Sequence, residues 1–358
     1  MESLVHTYLQ KCYGKQANLI FEKSYLFQYI DKKTKTVTTN PKSRKNLANL
    51  YAIYVLVEDY LNKKFHIEGD YSKYEGSQFT PLLERTRQLP FGEKYQNHAL
   101  NSRCNMEFKK FFSNSNDPIK YDQNLKRYWI NESLLKILNV KVLNIGPDII
   151  KIIDQYTTII TKTNDKVIDK AKKIQESKNS EELLSFIEYL VSPSCDARVF
   201  EIITFSILKA YYGSHEIFLG KTKAKINKIP LKLYKTGRTN ANDGGIDFIM
   251  KPEGRFFQVT EDINLKKFFL DIDKISHFPI TFVIKSNESP EKIKEKIISD
   301  GNKLYDDKLI LQKYIGCFEE IISIPTLFKC LKNVFSNNKQ DEIMKEFIIQ
   351  FKVEFHVA

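Results

Sequence analysis

Residues 244–261 read GGIDFIMKPEGRFFQVTE, two apolar runs separated by Lys-Pro-Glu-Gly. Proline pre-sets φ and glycine supplies a reversal that other residues resist, so the stretch predicts a tight antiparallel hairpin with strands over 246–250 and 255–261. No other stretch constrains the fold as strongly, because a two-stranded hairpin is marginal alone and must gain further strands or a covering helix. Side chains alternate along the second strand, so Gln258 and Thr260 share one face while Val259 and Glu261 share the other. If Phe257 and Val259 are core, Gln258 and Thr260 point outward beside the partner strand, near Asp247. A carboxylate, an amide carbonyl and a hydroxyl then form one patch of hard oxygens, the donor type that Mg²⁺ takes.

The surrounding pattern supplies the missing partners. Short strand runs stand at 216–220 (EIFLG), 231–235 (LKLYK) and 279–285 (PITFVIK). Helical periodicity marks EELLSFIEYL, which ends at Ser192-Pro193, and a helix from Asp196 to about Tyr212 that opens on an acidic cap and carries one inward acid, Glu201. Amphipathic helices follow over about 263–275 and 289–304. Helix, strands, helix, strand in that order predict an α/β (α+β) domain with a mixed central sheet flanked by helices. The half before it reads as mainly helical. Residues 45–63 carry apolar positions at helical spacing, 128–160 look like a short hydrophobic subdomain around Trp129, and the polar, lysine-rich 161–180 reads as an exposed helix or linker. The division expected is therefore 1–180 and 181–358.

Charge gives the first indication of a partner. The 358 residues carry 56 Lys and Arg against 44 Asp and Glu, a formal +12. An excess of this size favours a polyanion, since neutralised phosphates release condensed counterions. The hydrophobic share is 42%, enough for a substantial core and against wholesale disorder. No window approaches the roughly 18 apolar residues of a membrane span, and MESLVHTYLQKCYG lacks the apolar stretch of a secretory signal, so an intracellular, cytoplasmic protein is expected. The cysteines at 12, 104, 195, 317 and 330 form no CxxC pair and no HExxH is present, which argues against a zinc site or a disulfide framework.

Two segments suit nucleic acid. Residues 80–112 interleave Arg85, Arg87, Lys94, Asn101 and Arg103 with aromatic and amide residues, and Arg, Asn and Gln are the side chains that read guanine and adenine edges. Residues 234–245 (YKTGRTNANDGG) place Lys235, Arg238 and Asn242 among glycines, where backbone can approach a phosphate closely.

A strand opening on Gly-Ile-Asp, a hairpin, and a hydrophobic strand in the place of an acid-x-Lys motif resemble the PD-(D/E)xK nuclease core of type II restriction endonucleases, and the element order over about 196–285 is similar to that core. The resemblance implies that Asp247 is the metal-binding acid, that Gln258 stands where the second acid would be and Thr260 where the lysine would be, and that Glu201 is the acid of the first core helix. It implies Mg²⁺-dependent, sequence-specific hydrolysis of double-stranded DNA by a homodimer, and a companion DNA methyltransferase acting on the same site. The ligand set Asp247, Gln258 and Glu201 has one negative charge fewer than the family pattern, which Glu261 could restore if a bulge turned the strand end. The lysine must come from elsewhere, with Lys235, Lys266 and Lys267 as candidates. Two other functions fit the same residues: a repair or structure-selective DNA nuclease, and a DNA-binding protein whose nuclease site has decayed.

Overall fold

The computed structural model describes residues 2–35, 47–67, 70–93, 95, 99–137, 143–192, 195–237, 246–305 and 307–355. The chain divides into two compact units, 1–164 and 165–358.

The first unit is built on helices α1 (Leu4–Tyr13), α2 (Ala17–Lys23), α3 (Tyr25–Thr34) and α4 (Ala48–Asn62), followed by α5 (Phe79–Gln88), α6 (Cys104–Lys109) and the single turn α7 (Glu132–Leu135). The central one is α4, apolar around nearly its whole circumference and buried from Asn49 to Val57, as a helix surrounded by neighbours must be. Strands β1 (Ser77–Gln78), β2 (Ile119–Asp122) and β3 (Arg127–Ile130) form a small antiparallel sheet, and β4 (Lys136–Ile137) pairs with β5 (Leu143–Asn144). The stretch around Trp129 is therefore no separate subdomain: Tyr128, Ile130, Leu135 and Ile137 join the same core as α4. The Trp129 indole N–H donates to the Tyr74 carbonyl at 2.6 Å.

Helix α8 (Gly146–Ser177) takes in the end of the apolar 128–160 segment and most of the polar 161–180, which is thus helix, one of the two forms expected of it. Its start buries Ile149, Ile152, Ile153 and Tyr156 in the first unit's core, and its end buries Ile168, Ala171 and Ile174 in the second unit's. Three apolar residues at near-helical spacing are enough to fix the lysine-rich half as helix.

The second unit continues with α9 (Ser180–Val191), α10 (Ala197–Tyr212), the antiparallel pair β6 (Glu216–Gly220) and β7 (Ile226–Pro230), then β8 (Lys232–Lys235), β9 (Phe248–Lys251), β10 (Arg255–Thr260), α11 (Leu265–Lys274), β11 (Ile280–Ile284), α12 (Pro290–Leu304), α13 (Lys308–Gly316), β12 (Phe318–Ser323), α14 (Ile324–Ser336) and α15 (Gln340–Phe355). The mixed sheet expected from the sequence is present, with five strands in the order β12-β11-β10-β9-β8. The hairpin β9–β10 pairs Met250 with Arg255 and Phe257 with Phe248, and its turn closes on Gly254 at φ +74°, a conformation glycine adopts without penalty. Strands β10, β11 and β12 run parallel, so helices must carry the chain back between them. The run 216–220 differs from expectation: it joins β7 in a separate ribbon, exposed from 218 to 228, instead of the main sheet.

Both faces of the sheet are covered. Phe248, Met250, Phe257 and Val283 pack with α10, α14 and α15 in one core. Ile280, Phe282 and Ile284 pack with α11 and α12 in another. All five residues of β11 are buried, as expected of a strand with helices on either side.

Candidate functional site

Strand directions decide where the polar groups gather. With β8 and β10 both antiparallel to β9, and β11 and β12 parallel to β10, the carboxyl ends of β8, β10, β11 and β12 lie along one edge, together with the start of β9. That edge is where open α/β sheets bind ligands. Asp247, immediately before β9, is fixed there from both sides. Its N–H donates to the Phe257 carbonyl at 2.9 Å, its carbonyl accepts from the Thr236 N–H at 3.0 Å, and its Oδ2 accepts from the Val259 N–H at 2.7 Å. The carboxylate therefore lies at the level of the sheet, at the end of β10.

Glu201 projects from α10 into the face that carries Phe257. It is 5% exposed and meets Lys235 at 2.8 Å, with both side chains no more than about a tenth exposed. Lys235 pairs in register with Phe248, next to Asp247, so the pair stands beside the fixed carboxylate. Breaking such a pair strands a charge. Lys235→Met is expected to lower stability by about 3 kcal/mol, a fall of roughly 6–12 °C in Tm for a unit of this size. Thermal unfolding checks it; an unchanged Tm would show that water reaches the Glu201 carboxylate.

Gln258 and Thr260 lie on the other face. In register with Phe282 and Ile284, they are 8% and 3% exposed, under α11 rather than pointing into solvent. The alternation read from the sequence holds, but a second layer of helix covers the face expected to be open. Glu201 and Gln258 are thus on opposite sides of the sheet. The Thr260 hydroxyl donates to the Asp262 carbonyl at 3.2 Å and is 3.3 Å from Nζ of Lys267, from α11. Among the candidate lysines on that helix, Lys267 is the one that reaches the motif position.

Glu261, the residue after β10, is held on the Glu201 face by Lys285. Its Oε1 accepts from Lys285 Nζ at 3.0 Å. Lys285 is a group the sequence reading passed over. Its side chain is 3% exposed, its ammonium also donates to the Cys195 carbonyl at the head of α10, and it stands 5.7 Å from the centre of the Phe200 ring, one residue before Glu201. The signal was a single lysine ending a strand otherwise free of charge.

The site edge therefore carries three carboxylates, Glu201, Asp247 and Glu261, and buried ammonium groups at Lys235 and Lys285. Carboxylate oxygens fit Mg²⁺ by donor chemistry, although among the described residues no three His, Cys, Asp or Glu side chains stand close enough together to hold a metal ion. Lys235 and Lys285 instead neutralise two of the acids.

The residues assigned to DNA reading are placed unevenly. Arg85 gives both forks to Glu58, at 2.6 and 2.8 Å, so its paired donors are taken up within the unit. Arg87 Nε donates to the Tyr95 carbonyl at 3.2 Å, and Arg103 is exposed. Lys94, Arg238 and Asn242 lie outside the described residues, as does the side chain of Asn101. All five cysteines are free, and no helix among the described residues is long and apolar enough to cross a membrane. In comparison with known proteins, the chain matches no family model, no curated protein and no solved structure.

Proposed function

We propose that the protein is a Mg²⁺-dependent endonuclease with a restriction-endonuclease-like core, acting on double-stranded DNA as a type II restriction enzyme. The observation that carries this reading is that Asp247, fixed to β10, and the ion pairs Glu201–Lys235 and Glu261–Lys285 all lie along one carboxyl edge of a mixed sheet. In that reading Asp247 would bind the ion, Glu201 and Glu261 would join it only by leaving Lys235 and Lys285, and Gln258 is a support of the strand rather than a ligand. Mg²⁺ bound there would supply Lewis acidity to a phosphodiester oxygen. The chain's own part is to hold Asp247 rigidly through the Val259 N–H and to set a cation, Lys285 or Lys235, beside the charge that develops on phosphorus oxygens. The Val259 N–H orients Asp247 before any ion is present, which lowers the reorganisation required at this one acid.

The same reading brings a cytoplasmic homodimer, since two strands of a short site need two active sites, and a methyltransferase that protects that site. Incubation of the purified protein with plasmid DNA tests it. Discrete fragments with Mg²⁺ and intact plasmid with EDTA are the expected result, and sequencing the fragment ends identifies the site. A smear without preferred ends would favour the structure-selective or repair nuclease. The ion pairing of both buried lysines, with Thr260 in the motif lysine's place, favours one second reading: a DNA-binding protein with a decayed site. For that protein Mg²⁺ leaves the plasmid intact while binding stays steeply salt-dependent.

A further inference from the structure

The ribbon β6–β7 belongs to neither face of the main sheet. Residues 218–228 are exposed without interruption, and isolated two-stranded hairpins are marginal in water. Its base is anchored, because Ile217 packs against the core that holds α10. Beyond the base, the outward side presents Phe218, 73% exposed, and Ile226, 55% exposed. Phe218 sits opposite Lys228 in register, and Gly220 opposite Ile226. The connecting turn reads Lys221-Thr-Lys223-Ala-Lys225, so 216–230 carries four lysines against the single acid Glu216, which Lys228 neutralises. At Gly220 a side chain would collide with the Lys225 backbone, so the glycine keeps the strands close up to the turn.

Lysines on an exposed ribbon discourage edge-to-edge pairing, and that alone would explain the charge. It does not explain a phenylalanine left nearly three-quarters exposed between Lys228 and the lysines of the turn. We propose that this ribbon enters the major groove of duplex DNA, with Lys221, Lys223 and Lys225 on phosphates and Phe218 against base edges such as thymine methyl groups. Two strands about 5 Å apart with their side chains fit a groove about 12 Å wide, whereas the minor groove, about 6 Å wide, is too narrow. Five residues per strand span about 17 Å, enough to follow the groove across several base pairs. The choice of DNA rests on the nuclease reading above; the charge and shape belong to the ribbon itself.

The test is fluorescence anisotropy on a 20–30-base-pair duplex in EDTA, over a range of salt, with wild type, the triple variant K221A/K223A/K225A and Phe218→Ser. All four positions are exposed, so folding is retained. Each lost phosphate contact lowers the salt slope by about 0.9, so the triple variant is expected to bind about 100-fold more weakly at 0.1 M salt, with a slope reduced by about 2–3. Phe218→Ser weakens binding with the slope unchanged. Wild-type affinity and slope in the triple variant overturn the proposal. So does a triple variant that loses binding to vesicles containing phosphatidylserine while it keeps the duplex, because the ribbon's partner is then a membrane surface. Ribbon-dependent binding with no cleavage under Mg²⁺ leaves the ribbon proposal standing and removes the nuclease reading alone.

Discussion

Asp247→Asn is expected to lower plasmid cleavage by at least ~10³-fold while DNA affinity stays within about threefold of wild type. Asparagine is the informative replacement because its carbonyl oxygen still accepts from the Val259 N–H, the 2.7 Å bond that ties this residue to the end of β10. Backbone bonds to Phe257 and Thr236 are untouched. Folding should therefore be preserved, with Tm close to wild type, and the change reduces to the loss of one negative charge at the sheet edge. Asp247→Ala removes the bond as well, and is expected to be equally inactive but less stable by about 1 kcal/mol. Cleavage rates, duplex affinity in EDTA and thermal unfolding separate these effects. Wild-type cleavage by Asp247→Asn would remove the site, since among the described residues no other carboxylate at the edge is shown fixed to the backbone of the central strand.

What could be read from the sequence was local in origin. The hairpin declared itself through its turn residues, and α10 through an acidic cap followed by periodic apolar positions, both of which the structure reproduces within a residue or two. The alternation along β10 was also legible. Its consequence was not, because alternation separates two faces without saying what covers either of them. Gln258 and Thr260 became buried once α11 folded over them. Strand β12 and the ion pairs Glu201–Lys235 and Glu261–Lys285 depend on partners distant in the chain, and residue spacing carries no record of such contacts. The ribbon was read as a strand of the main sheet for the same reason: EIFLG has strand propensity, but which strand it pairs with is set by the tertiary fold. Arg85 shows the opposite error. An arginine among amides suits base reading by type, while Glu58, 27 residues earlier, takes both of its forks.

Lys285→Met is expected to reduce kcat by about 10²–10³-fold with little change in duplex affinity. The lysine side chain is 3% exposed, and its ammonium is held between the Cys195 carbonyl and Glu261. Methionine matches its length and is unbranched, so the apolar contacts beside Phe200 are kept. The Cys195 carbonyl loses a donor, at about 1–3 kcal/mol of stability, while the Glu261 carboxylate, 46% exposed, recovers water. That loss acts on folding rather than on the ratio of kcat to affinity. A lysine that only buttressed the fold would lower Tm and leave kcat of the folded fraction unchanged. Glu261→Gln divides the site further, since it frees Lys285 from its counter-charge without removing the ammonium. Under the proposed mechanism it loses a metal-holding acid and requires more Mg²⁺ for half-maximal cleavage, whereas Lys285→Met leaves the Mg²⁺ requirement unchanged. Full activity in Lys285→Met would transfer the cationic role to Lys235 or to Lys267, whose ammonium already reaches the Thr260 hydroxyl at 3.3 Å.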